Sequence, residues 1–225
     1  MSLIHLQGLL RPDALQDIAQ LLPQIPFEDG KNTASGAARE VKNNLQSPHE
    51  GDGPTNSIAQ IIMRAMAASP LLHAAAFPKM ILQPTISRYT PGMEYGWHTD
   101  SPLMSKGATI RADMSMTLFL SEPASYTGGE LVIQTGTGAL PFKLAKGDAI
   151  LYPTTCLHCV QPVTEGERIV AITWLQSMIR DIAQRDLLIR LKTIQETIGA
   201  AQPQSGEHLA LQQVYSNLVR MWAEV

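Results

Sequence analysis

The chain has 225 residues, 44% of them hydrophobic and 16% charged, with a formal net charge of -3. That length supports one sizeable core without disulfides or a structural metal, and the charge offers no broad basic field for phosphate backbones, so no nucleic-acid partner is expected. The only cysteines are Cys156 and Cys159, and the opening MSLIHLQG has no charged leader followed by an apolar core. These features lead us to expect a cytoplasmic protein with reduced thiols. Its most apolar windows, 57–77 and 112–123, are interrupted by Gln60, Arg64, Ser69 and Pro70, and by Asp113 and Glu122. Neither reads as a membrane span of about 20 uninterrupted apolar residues.

In chain order, IHLQGLL predicts a short strand, and Leu15, Ile18, Ala19 and Leu22 predict a one-sided helix with Pro12 in its first turn. Residues 28–56 are rich in Gly, Asn and Ser and predict a long loop, either mobile or functional. A second helix is expected to start at Thr55 or Asn56 and to run to Pro70. From Lys79 to Trp174 short extended runs such as DMSMTLFLSE, GELVIQTG, CLHCVQPV and RIVAITWL alternate with Gly, Pro and Asp. That rhythm predicts a sandwich or barrel and argues against an alternating βαβ protein. After Ser177 the pattern is helical again, with one apolar stripe through Ile179, Ile182, Leu188, Leu191 and Ile194 and a second through Leu209, Val214, Leu218 and Trp222.

The stretch EYGWHTDSP carries His98 and Asp100 two residues apart. On a strand, i and i+2 share a side, so the pair can converge on one point. In isolation it is as well explained by chance. The third candidate is His158, on a segment that returns across the barrel. Two imidazoles and one carboxylate form a three-ligand face that leaves the opposite face of an octahedral ion open, as non-haem Fe(II) requires. Arg168 follows across the turn TEGE, and a strand there places it on one side with Val170, Ile172 and Trp174. Directed inward, its guanidinium calls for a carboxylate-bearing ligand; the other reading is a surface hairpin residue near Glu165 and Glu167. Tyr89 and Trp97 are open between packing and pocket roles. The C-x-x-C lacks the further soft ligands a structural zinc needs, Asp148 reads as a turn cap, and His5, His49, His73 and His208 show no partner pattern.

The H-x-D, distant His and following Arg resemble the Fe(II)- and 2-oxoglutarate-dependent dioxygenases. Within them RYTPGMEYGWHTDSP, SMTLFLSEPASYTGGELVI, KGDAILYPTTCLHCVQPVTEGERIVAITWLQS and VKNN resemble the bacterial PKHD-type hydroxylases over nearly the whole chain. The resemblance implies a mainly β protein with flanking helices, built on a double-stranded β-helix (jelly-roll) core. Three parts are expected: an N-terminal helical and loop segment (1–78) packing on the core, the dioxygenase jelly roll (79–177), and a C-terminal helical segment (178–225). It further implies iron at His98, Asp100 and His158, the distal carboxylate of 2-oxoglutarate at Arg168, and Tyr89 near that cosubstrate. The reaction would couple decarboxylation of 2-oxoglutarate by O2, giving succinate and CO2, to hydroxylation, with L-ascorbate keeping iron reduced. The rival readings are a cupin-like metal enzyme that does not use 2-oxoglutarate and a non-catalytic iron-sensing or iron-binding protein. The substrate is open among a small molecule, a free amino acid and a peptide side chain. The two helical stripes point to a homodimer through the tail.

Overall fold

The structure is a computed structural model, and it describes residues 3–48 and 53–225. The chain begins with β1 (Ile4–Leu6) and α1 (Pro12–Leu21), then β2 (Glu28–Asp29), α2 (Gly36–Glu40), β3 (Lys42–Asn43) and β4 (Leu45–Gln46), and then α3 (Pro54–Ala67) and α4 (Pro70–Ala76). Its middle carries β5 (Pro78–Ile81), β6 (Thr85–Tyr89), β7 (Glu94–His98), the hairpin β8 (Leu103–Lys106) and β9 (Ala108–Arg111), and β10 (Met114–Phe119). There follow β11 (Tyr126–Gly128), β12 (Leu131–Thr135), β13 (Gly138–Phe142), β14 (Ala149–Pro153), β15 (His158–Val160), β16 (Val163–Gly166) and β17 (Arg168–Ser177). Helices α5 (Ile182–Ala201) and α6 (Gly206–Trp222) complete the order.

Two antiparallel sheets form the jelly roll. The larger runs β1-β14-β10-β17-β6-β4-β2, with β5 also pairing β17; the smaller runs β13-β12-β15-β7-β3. Between them lies a cluster drawn from both: Phe119, Ile150, Tyr152 and Val170 from the larger sheet, Leu131, Ile133 and Val160 from the smaller. The alternation read in RIVAITWL is realised on β17. Arg168, Val170, Ile172 and Trp174 face the space between the sheets, while Ala171 and Leu175 join the second core, beneath the helices. That second core buries Ile18 of α1 and Ile58, Ile62 and Met66 of α3 completely, each burial contributing about 1.5–3 kcal/mol. Leu15 and Leu22 pack beside Ile18 as the spacing predicts, whereas Ala19 is exposed.

The segment before residue 79 packs on the core through α1 and α3 and also extends it: β1, β2 and β4 join the larger sheet and β3 joins the smaller. Much of the expected loop 28–56 is thus short strand and helix, whose pairing partners lie far away in sequence and leave no local periodicity. Pro70 starts α4 instead of ending α3. Proline is well placed in a first turn, where its missing N–H is not needed, and Ser69 caps the new helix by accepting from Leu72 N. Among the described residues no single helix is long and apolar enough to cross a membrane.

The tail forms a helical hairpin docked on α4. Phe77, Ile179 and Leu188 are buried together, with Tyr215, Leu218 and Trp222 packed against them. Arg111 fixes the far end by pairing with both Asp113 and Glu224. Only part of each predicted stripe is covered: Ile194, Leu209 and Val214 are about half exposed, because the second helix crosses only one side of the first. The histidines also separate. His5 is not incidental, since its Nε2 lies 2.7 Å from Asp148, whose other oxygen accepts from Gly8 N. Asp148 therefore ties β1 to β14 in addition to shaping its own turn. His49 lies outside the described residues.

Candidate active site

The strand pairing brings the predicted ligands together. His158 at the start of β15 is directly opposite His98 at the end of β7, and their ring centroids are 4.3 Å apart. Asp100 is not on a strand, because β7 ends at His98; the loop that follows turns the carboxylate back instead. One potential ligand atom from each of His98, Asp100 and His158 lies within 4.8 Å of the other two. His98 and His158 are 8% and 4% exposed, and the Asp100 side chain 8%.

The surroundings orient each donor. His98 Nδ1 is 2.8 Å from Gly96 O and His158 Nδ1 is 3.0 Å from Cys156 O. A carbonyl can only accept, so both Nδ1 atoms carry the proton and both Nε2 lone pairs are left for the shared point. Ser115 Oγ donates to Asp100 Oδ2, fixing one carboxylate oxygen. Burial, reinforced by the neighbouring His158, lowers the His98 pKa to about 4, so its imidazole is neutral over the physiological range. Neutral imidazoles and a carboxylate form the donor set that non-haem Fe(II) takes, and the cluster fits such an ion.

Arg168 stands in the same cavity, which has a volume of about 170 Å³. It is 1% exposed, which excludes the surface-hairpin reading; Glu167, its neighbour, pairs outward with Arg88. Its guanidinium lies over the Tyr89 ring at 5.0 Å and near Phe119 at 5.7 Å. Nε and Nη1 are buried without an acceptor. A guanidinium so placed is costly unless a ligand supplies the missing oxygen atoms. Tyr89 is paired with Arg168 in register and lines the same space, whereas Trp97 is 45% exposed and has no part in it.

Several cavity residues are invisible to a reading of local sequence. Tyr95 stacks on His98 at 3.6 Å between ring centroids. An alternating strand would put residues three apart on opposite faces, but β7 bulges against β15 between these two positions and brings them to one side. Gly96 sits in that bulge, where an added Cβ would lie 2.8 Å from Val41 Cβ. Lys42 and Lys106 also line the cavity, contributed by β3 and by the β8–β9 hairpin. The thiols of Cys156 and Cys159 are buried; the first residue serves the site through its carbonyl.

Residues 84–176 match the family model of the 2OG-Fe(II) oxygenase superfamily, and residues 183–224 that of the PKHD-type hydroxylase C-terminal domain. A PKHD-type hydroxylase of Alteromonas mediterranea is 40% identical over 99% of this chain and 100% of its own length. One of Pseudomonas putida is 41% identical with the same coverage. Among solved structures, a Pseudomonas putida prolyl-4-hydroxylase aligns with TM-score 0.53 and 16% identity, over 78% of this chain and 92% of its own. HygX from Streptomyces hygroscopicus, with nickel, 2-oxoglutarate and hygromycin B bound, aligns with TM-score 0.52 and 13% identity, over 76% and 81%. These last two are likenesses of fold.

Proposed function

The chain belongs to the PKHD-type hydroxylases of the 2-oxoglutarate and Fe(II) oxygenase superfamily, and from that premise we propose that His98, Asp100 and His158 hold its iron and Arg168 the far carboxylate of 2-oxoglutarate. The protein is an Fe(II)- and 2-oxoglutarate-dependent hydroxylase. The observation that supports the residue assignment is the buried Arg168 guanidinium, with Nε and Nη1 lacking an acceptor, in the same cavity as the His-Asp-His cluster. When bound, Fe(II) supplies the chemistry that couples oxidative decarboxylation of 2-oxoglutarate by O2, to succinate and CO2, with hydroxylation of the substrate.

The chain's own residues bind, orient and enclose. Gly96 O and Cys156 O hold both imidazoles in the tautomer whose Nε2 faces the metal. Ser115 holds one oxygen of Asp100 and leaves Oδ1 turned toward His158 Nε2, 3.9 Å away. Arg168 offers two parallel N–H groups, the geometry a carboxylate accepts best. Tyr89 and Phe119 hold its plane from the side, and the apolar Val170 and Leu131 keep water from that end of the cavity.

The remaining parts of the reading are a small-molecule, amino-acid or peptide substrate, L-ascorbate as a reductant that keeps the iron ferrous, a cytoplasmic setting, and a homodimer through the tail. The half-exposed Ile194, Leu209 and Val214 support the last. The test of the whole assignment is succinate formation from 2-oxoglutarate by the iron-loaded protein, compared with Arg168→Ala. Turnover that depends on 2-oxoglutarate in the wild type and needs far more of it in the variant is the expected result. Equal 2-oxoglutarate dependence in both proteins overturns the role of Arg168.

A further inference from the structure

Two ammonium groups in the cavity have no task in the assignment above. Lys42 is 4% exposed, and its Nζ donates to Thr33 Oγ1 at 2.8 Å and Gln46 Oε1 at 3.2 Å. Lys106 donates to Pro84 O at 3.2 Å and Thr85 Oγ1 at 3.0 Å. An ammonium has three N–H groups, so each retains one without an oxygen acceptor; Lys42 Nζ also lies 5.2 Å from the centroid of the Tyr95 ring. Among the described residues, neither has a carboxylate within ion-pair distance. Asp100 and Asp29 act on Lys42 only from farther away. Burial accordingly lowers both lysines to about 8.

The two groups stand at either end of one polar wall. Gln46, which holds Lys42, donates through Nε2 to Ser87 Oγ. Ser87 and Thr85 share a face of β6, roughly 7 Å apart along the strand, and Thr85 holds Lys106. The charges in the cavity are unbalanced. Ferrous iron is matched by the doubly anionic cosubstrate, and Arg168 offsets Asp100, which leaves both lysines without a countercharge. Trp174 adds a buried indole N–H with no acceptor on the same cavity lining. Among the cavity-lining groups named here, those left over are donors, and the charged ones are positive. A buried ammonium that served only to bond Thr33 and Gln46 would cost stability that a neutral side chain would avoid.

We propose that the hydroxylated substrate is a carboxylate-bearing anion received by Lys42 and Lys106, an inference that rests on the iron and 2-oxoglutarate assignment above. The lysines are specificity-determining residues for the reaction, set apart from Arg168 and the metal ligands. An anion there meets two charge-assisted donors in a site shielded from water, whereas an uncharged analogue leaves both ammoniums unpaired.

The test uses the full chain loaded with Mn(II) and saturating N-oxalylglycine, a 2-oxoglutarate mimic that is not decarboxylated. Calorimetric titration then compares N-acetyl-L-glutamate with its isosteric, uncharged diamide, in the wild type, Lys42→Met and Lys106→Met. The acid is expected to bind the wild type at least about tenfold more tightly than the diamide does, and to lose about tenfold or more in each variant. The diamide should be indifferent to both substitutions. Lys106 is only half-buried, so its variant is informative even if Lys42→Met folds poorly. Acid and diamide binding alike, neither binding, or the acid binding both variants as it binds the wild type overturns the proposal. If one variant alone retains wild-type affinity, its lysine is removed from the subsite. Failure of the Mn(II) and N-oxalylglycine to load would instead overturn the iron and cosubstrate assignment.

Discussion

Ser115 on β10 donates its hydroxyl hydrogen to Asp100, a residue that belongs to no strand. This bond links a ligand on a loop to an inner strand of the larger sheet, and thereby holds one carboxylate oxygen while the other faces His158. Ser115→Ala is expected to weaken Fe(II) or Mn(II) binding by about 10–100-fold without loss of fold. A metal titration beside a thermal melt checks it, and wild-type affinity in a well-folded variant would remove Ser115 from the site.

The purified protein should bind one Fe(II) per chain. Alanine at His98, Asp100 or His158 deletes one of three protein ligands, and each variant should lose most of its iron. Metal analysis after anaerobic loading decides this, with unchanged stoichiometry and affinity in all three variants as the contrary result.

Arg168→Ala should leave iron binding intact and raise the 2-oxoglutarate requirement strongly, since truncating one side of a buried charge-assisted pair costs about 2–5 kcal/mol. Arg168→Lys should recover only part of the loss, because an ammonium lacks the planar fork. The readout is the KM for 2-oxoglutarate against the affinity for iron, measured separately.

Gly166, the last residue of β16 and one residue before β17, has φ +71°, and a Cβ there would come within 2.1 Å of Ser125 O. Gly166→Ala should therefore destabilise the protein by at least about 1–2 kcal/mol. Because Arg168 begins the strand just beyond, the KM for 2-oxoglutarate should rise as well. Denaturant unfolding with kinetics on the same sample tests both effects.

Truncation after residue 178 removes Ile179 and Leu188 from the cluster around Phe77 and deletes the Glu224 partner of Arg111. Each lost side chain contributed about 1.5–3 kcal/mol of burial, so the melting temperature should fall before the metal cluster is affected. Light scattering over a concentration series on the intact chain addresses the dimer. A monomer at high micromolar concentration would leave the tail as an intrachain brace alone.

What was legible in the sequence was what local pattern can carry. Alternation in RIVAITWL placed Arg168 with Val170, Ile172 and Trp174, and the structure puts all four on the cavity. Spacing around Ile18 gave the buried face of α1. The misses are non-local in origin. Tyr95 reaches His98 only through a bulge defined by the opposite strand, and the burial of Lys42 depends on Gln46 and Thr33 folding over it. The exposed Ile194 shows the converse: a periodic stripe states which side of a helix is apolar, and the neighbouring helix decides how much of it is covered.

Strands β3 and β4 are separated by Asn44 alone, yet β3 pairs with β7 in the smaller sheet and β4 with β6 in the larger. The chain thus sutures the two sheets together at one side of the cavity, and the wall carrying Lys42 cannot swing outward without tearing hydrogen bonds in both. The β8–β9 hairpin, which carries Lys106, pairs as strands only with itself, so fewer backbone hydrogen bonds hold that part of the cavity. Amide hydrogen exchange would register the asymmetry as slow exchange at 42–46 and faster exchange at 103–111.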